Sequence, residues 1–251
     1  MPFVSFKKRA SIVKIIFLNP SLAEERLYQK KTSGQEGSEY MSSQGDAEKF
    51  QFLVKLALEN GATDAKIIPT DKVVVEDRVV LKCKVGCNHY GKTLACPPYT
   101  PTAEEFRKIV SEYSFAMFMK FASNAQAEPE VLKKLMVAET DPTVSKDIKE
   151  KAAKFWQDWK DDKRKMLQSV VHLEKAAMNK GYSLAISFVS GHCQLCEKCN
   201  IETKICAHPN LARLSEDAVG VNVKKTAANA GISVTFPFAK NPESFAILLI
   251  D

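Results

Sequence analysis

The chain predicts an α/β fold: a layered domain with one central sheet, two cysteine-rich metal-binding loops at strand ends and a helical insertion. Three observations predict it. A helical stripe stops at a glycine three times (Gly61, Gly181, Gly231), and a β-branched or apolar run comes within a few residues. That alternation is the rhythm of helices layered on a sheet. All seven cysteines fall in two stretches beside predicted strand ends, where open sheets place their ligand sites. Between 123 and 180 the spacing turns wholly helical.

Residues 1–45 are expected to be a poorly ordered N-terminal extension, and residues 46–251 a single domain. Lys7-Lys8-Arg9 and the apolar run from Ala10 to Leu18 imitate a secretion signal, but Lys14 splits the run and no small-residue cleavage site is present after it. The run is also too short to span a bilayer. Gly34 to Gly45 has the polar composition of a flexible linker, and Met41 is an alternative start. From Asp46, a capping residue, Phe50, Leu53, Val54, Ala57 and Leu58 make a helical stripe. Strands are expected at Ala65–Ile68 and at Val73–Leu81, the second leading into Cys83. Thr102 and Glu105 form a capping box ahead of Phe106, Ile109, Val110 and Tyr113. Phe115–Phe121 reads as a buried strand. In the insertion, Pro129 and Pro142 suit first helical turns. Ile148, Ala152, Phe155, Trp159, Met166, Val170, Leu173 and Ala177 share one face; His172 on that helix is read as structural. Tyr182–Val189 is a strand that hands the chain to Cys193. Asn222 caps a short helix, and strands at Ile232–Phe236 and Phe245–Ile250 close the chain.

Composition narrows the function. At 45% hydrophobic and 26% charged residues, this is an ordinary globular chain. It is long enough to fold without metal, burying roughly three quarters of its unfolded surface. A net charge of +6 with no block of like charges gives no nucleic-acid arm, and no membrane span is expected. An odd cysteine count fits a disulfide framework poorly, so the expected setting is a reducing cytoplasm with thiols free to ligate metal.

The second cysteine group is Cys193, Cys196, Cys199 and Cys206, a C-x2-C-x2-C-x6-C run. Cysteines at i, i+3 and i+6 let a short loop wrap a cubane cluster, and a fourth from further along completes it. Zinc sites more often pair two C-x2-C turns, and here Cys206 stands alone. The spacing therefore favours a [4Fe–4S] cluster, with zinc as the alternative. The first group, Cys83, Cys87 and Cys96, has three thiols; its fourth ligand is His89, another residue, or nothing from the protein. A cluster held by three thiolates leaves one iron open, a Cys3His arrangement would suit zinc, and both groups could converge on one polynuclear site. One or two clusters are thus expected. Lys82, Lys84, Lys92, Lys198, Lys204 and Arg213 flank the cysteines. Lys92 and Arg213 are the cofactor-binding candidates, because cations offset an anionic cluster. No phosphate loop, dinucleotide fingerprint, H-E-x-x-H or G-x-S-x-G is present. His172-Leu173-Glu174 matches half of a deaminase signature whose P-C-x-x-C half is missing.

The blocks C-K-V-G-C-N-H-Y-G-K-T-L-A-C-P-P-Y-T-P (83–101), G-H-C-Q-L-C-E-K-C (191–199) and C-A-H-P-N-L-A-R-L-S-E-D-A-V-G-V-N-V (206–223) occur in that order. In them the chain resembles a family of bacterial and archaeal proteins known as predicted metal-binding proteins of unknown function. The likeness covers roughly 50–251. The first 45 residues look extra, the helical stretch around 123–160 looks long, and R-L-S-E-D-A-V-G stands where the family reads closer to R-P-S-M-E-A-x-G. The resemblance implies metal binding through these cysteines and no particular reaction. Taken with the spacing, it leads to the expectation of a cytoplasmic iron–sulfur protein of an anaerobe that passes electrons to, or redox-activates, a protein partner. The alternatives are a zinc-stabilised interaction module and an enzyme using the open iron of the three-cysteine site.

Overall fold

The computed structural model describes residues 47–236 and 241–250; the expected extension 1–45, Met41 as a start and the Asp46 cap lie outside them. Among the described residues, the helices are α1 (Gln51–Glu59), α2 (Asp77–Gly86), α3 (Ala103–Ser111), α4 (Pro129–Lys134), α5 (Lys146–Asn179) and α6 (Val223–Asn229). The strands are β1 (Asp64–Pro69), β2 (Phe115–Ala122), β3 (Ile186–Val189), β4 (Leu214–Ser215) and β5 (Glu243–Ile250). They form one mixed sheet in the order β1-β2-β5-β3-β4. The predicted α/β class with a single sheet is therefore observed.

β2 and β5 are apolar at nearly every position because both of their faces are covered. Alternate residues of an extended chain point to opposite sides. Met117, Met119, Ala246, Leu248 and Ile250 pack with Leu53 and Ala57 of α1 and with Met166, Val170, Leu173 and Ala177 of α5. Ala116, Phe118, Phe245, Ile247 and Leu249 pack instead with Phe106 and Val110 of α3 and Ala227 of α6. The antiparallel register pairs Met117 with Leu248 and Phe118 with Ile247, so like faces meet.

Local signals place the helices. The Thr102–Glu105 capping box forms as expected, and Asn222 caps α6 by accepting from Lys225 N–H. Pro129 opens α4. Gly61, Gly181 and Gly231 take positive φ just past α1, α5 and α6. The helical segment packs in two parts. Val131, Leu135, Ala152 and Phe155 make a separate small core, and from Met166 onward α5 joins the main one. His172 lies on the exposed side of α5. No described helix is long and apolar enough to cross a membrane.

Four expectations are corrected. The run Val73–Leu81 is not a strand: Val75 makes one isolated bridge to Val221, and Asp77 then opens α2, which carries Cys83. Acidic Asp77 at the helix start outweighs the β-branched character of Val79 and Val80, so the first cysteine group hangs from a helix and not from a strand end. Ile232–Phe236 forms no strand; Ile232 packs into the core beside Ala227, and the segment pairs with no strand of the sheet. Pro142 lies in a turn, and α5 starts four residues later behind the Ser145 cap. The strand expected from Tyr182 begins only at Ile186.

Truncating a central apolar side chain leaves a cavity that the packed slab cannot close. Leu248→Ala should therefore lower stability by about 2–5 kcal/mol, read as a fall in denaturation midpoint. A second prediction concerns Glu76, the cap residue of α2. Its carboxylate accepts from Arg78, from Lys225 of α6 and from Asn222. Those bonds, Arg78 first, hold its pKa at about 2 instead of 4.5. A depressed acid stabilises the fold above its ordinary pKa and stops doing so as pH falls through the depressed one. Wild type should thus lose stability more steeply than Glu76→Gln between pH 4.5 and about 2, as measured by denaturant midpoints at stepped pH.

Candidate metal centre

The second cysteine loop is the connection between two parallel strands. β3 pairs in parallel with β4, Phe188 opposite Leu214 and Val189 opposite Ser215. Such a pair needs a crossover instead of a tight turn, and here the chain from Ser190 to Arg213 supplies it. Ser190 fixes its start, donating from Oγ to Phe245 O and accepting from Phe245 N–H. Arg213 fixes its end. Its guanidinium donates through Nε and Nη2 to the two carboxylate oxygens of Glu174 on α5, and Glu174 Oε1 also accepts from Ser187 N–H. Glu174 is 5% exposed, so this is a buried, charge-assisted clamp.

The first loop folds back beside it. Cys83 sits on α2, Cys87 is the residue at its C-terminal end, and Cys96 is buried in the next turn. Backbone bonds from Tyr90 to Cys87, Lys92 to His89, Gly91 to Pro97 and Cys96 to Thr93 shape it. Gly220 lets the neighbouring segment approach: it takes φ +88, and a Cβ there would stand 2.7 Å from Ala103 Cβ.

The two loops meet. Leu94 N–H of the first donates to Cys199 Sγ of the second over 3.4 Å. His89 and His192 stack with ring centroids 3.4 Å apart, and Ser215 N–H donates to Ala95 O. Between the loops lies a cavity of about 780 Å³ whose wall includes all four thiols of the second group, together with His89, Lys92, Thr93, Leu94, Lys160, His192 and Arg213. Cys83, Cys87 and Cys96 lie outside that wall, grouped closely enough for each other's charge to act on Cys83. Cys96 is near Cys87 and also near Cys193 and Cys199. Among the described residues, no three His, Cys, Asp or Glu side chains close around one point as ligands of a single ion.

The chemistry of the donors suits a metal. Burial pushes Cys83 up to about 11, helped by Asp217, Cys87 and Cys96. Burial likewise raises Cys96 and Cys193 against nearby thiols. Thiolates crowded in this way are stabilised by a bound cation, which displaces their protons. Backbone donors are already in place: His208 N–H reaches Cys206 Sγ at 3.4 Å, Leu195 N–H bonds Cys193, and Leu94 serves Cys199. Such N–H···S bonds orient sulfur ligands and tune what they hold. Burial lowers His89, and burial with the neighbouring His89 takes His192 down to about 4, so both imidazoles are neutral and able to ligate near neutral pH. Of the two cofactor-binding candidates, Lys92 and Arg213 both line the cavity, and the charge of Arg213 is offset by Glu174.

Several residues escaped the sequence reading. Glu174 had a signal, since a carboxylate stands on the buried stripe of α5 beside Leu173 and Ala177. Leu94 had none, because it acts through its backbone. Glu216, 2% exposed with its pKa raised by burial, bonds Ser190 at the start of the second loop, and Lys163, whose Nζ lies 4.6 Å over the Trp159 ring, stands 3.5 Å from where a Cβ on Gly191 would be.

No curated protein and no solved structure matches this chain. A family model described as "Predicted metal-binding protein (DUF2284)" matches residues 66–250, which takes in both cysteine loops, most of β1 and every later element to β5. The chain belongs to that family of predicted metal-binding proteins.

Proposed function

We propose that this metal-binding protein is an iron–sulfur protein that passes single electrons to a protein partner, or redox-activates it, in a reducing cytoplasm. One observation supports this above the rest. Four thiols in C-x2-C-x2-C-x6-C spacing share the wall of one cavity, the arrangement in which a short loop wraps a cubane and a fourth thiol from further along completes it. Cys193, Cys196, Cys199 and Cys206 would hold a [4Fe–4S] cluster, with Cys83, Cys87 and Cys96 at a second centre; His89, the candidate fourth ligand there, faces the cavity of the four thiols instead. Such a cluster supplies one-electron chemistry at a potential set by charge, hydrogen bonding and exposure.

The chain's own groups set those conditions. The N–H donors of Leu94, Leu195 and His208 point at the sulfurs that would carry negative charge. Lys92, Lys160 and Lys198 line the same cavity and favour an anionic occupant. Apolar Leu94, Leu195, Ile201 and Leu214 in the wall limit water. From Arg78 to Ala103 the chain has four basic residues and no acidic one. Arg78 and Lys82 pair with Glu76 and Asp217, and on the second loop exposed Glu197 and Glu202 stand beside Lys198 and Lys204, so the basic character of the outer face rests on exposed Lys84 and Lys92 of the first loop. A partner with an acidic surface fits that face, and complementary charge speeds such encounters.

Anaerobically purified protein should be brown and contain nearly equal iron and acid-labile sulfide, and Cys199→Ser should lose much of both. Zinc without sulfide in anaerobic material would instead establish the zinc-stabilised module. Charge reversal at Lys84 and Lys92 should slow reduction by an acidic one-electron carrier protein by about tenfold at low ionic strength, with the deficit shrinking as salt is added. A rate indifferent to both would exclude docking on this face.

A further inference from the structure

A backbone amide joins the two cysteine loops. Leu94 lies two residues before Cys96, in a turn closed by Cys96 N–H on Thr93 O and pinned outside by Ser215 N–H on Ala95 O. Its own N–H is 3.4 Å from Cys199 Sγ. Thr93, Ala95 and Cys96 around it are all buried, so the turn that carries the amide is fixed, while Leu94 and Cys199 themselves face the cavity. The Cys96 thiol lies near Cys87 on one side and near Cys193 and Cys199 on the other. The stacked His89 and His192, one from each loop, tie the same two segments a second time.

We propose that Leu94 is a positioning residue that couples the two cysteine groups: its N–H, held in place by the Cys96 turn, is part of the environment of Cys199. Whatever fixes Cys96 fixes the Leu94 amide, and so alters how much negative charge the Cys199 sulfur can bear. An N–H donor to a ligating sulfur favours the more electron-rich state and raises the potential of what that sulfur holds. The first group thereby conditions the second without sharing a ligand with it. The effect on potential rests on the iron–sulfur function proposed for the chain; the coupling of the loops does not.

The test separates the two. Amide hydrogen exchange on the metal-free, full-length chain should find Leu94 N–H protected. Cys199→Ala should speed its exchange about fivefold to tenfold and leave the β2 and β5 amides unchanged, which also reports that the variant is folded. Equal Leu94 rates in the two proteins would overturn the coupling, whether or not the chain binds iron. In iron-loaded protein, Leu94→Pro has no N–H to give and should shift the midpoint potential negative, whereas Leu94→Ala keeps the donor and should match wild type. Identical potentials in the two variants would overturn the effect on potential, and the exchange comparison would decide the coupling. If Leu94→Pro fails to fold, the exchange comparison decides alone. If wild type holds no iron, the iron–sulfur reading falls and the exchange comparison still stands.

Discussion

Two strands that run the same way cannot be joined by a tight turn, and the pairing of β3 with β4 imposes that constraint here. Most crossovers meet it with a helix that satisfies its own backbone. This chain meets it with an irregular loop rich in cysteine, whose polar groups must find partners elsewhere. Ser190 at its start and the Glu174–Arg213 clamp at its end fix where the loop leaves and rejoins the sheet. The four thiols between them are held in one cavity wall by anchors that carry no thiol themselves. Removing one member of such a buried pair strands the other charge, which typically costs about 3–5 kcal/mol.

The slab of β2 and β5 gives those anchors something rigid to hold. Both strands are covered on both faces, so their position is set by two independent cores. α5 spans the distance between them and the site. Its later half packs in the main core and its middle presents Lys160 to the cavity. Packing and chemistry therefore share one helix, and a register shift in α5 would move Glu174 and Lys160 together.

Much of this was legible in the residues. The periodicity of Phe50 to Leu58 and of Ile148 to Ala177, the Thr102–Glu105 box and the apolar runs of β2 and β5 are each local patterns that survive in the fold. What failed was competition between levels. Val73–Leu81 has strand composition, but the acidic start at Asp77 opens a helix. Ile232–Phe236 has strand composition too, but it joins no edge of the sheet. The clustering of cysteines in two groups was plain from spacing, whereas their meeting across Leu94 and Cys199 was not, because a backbone amide leaves no trace in side-chain pattern. Arg213 stood out as a basic residue near thiols; that Glu174 offsets its charge required the tertiary structure.

α2 buries a single side chain, Val79, and leaves Val85 85% exposed. A helix with so little apolar area against its neighbours opens at small free-energy cost while the sheet behind it stays intact. Since α2 bears Cys83 and ends at Cys87, the first group can release two of its three thiols by fraying of one short segment. Movement of Cys83 and Cys87 is thereby separated from unfolding of the molecule: the two thiols can part from Cys96 while the sheet stands.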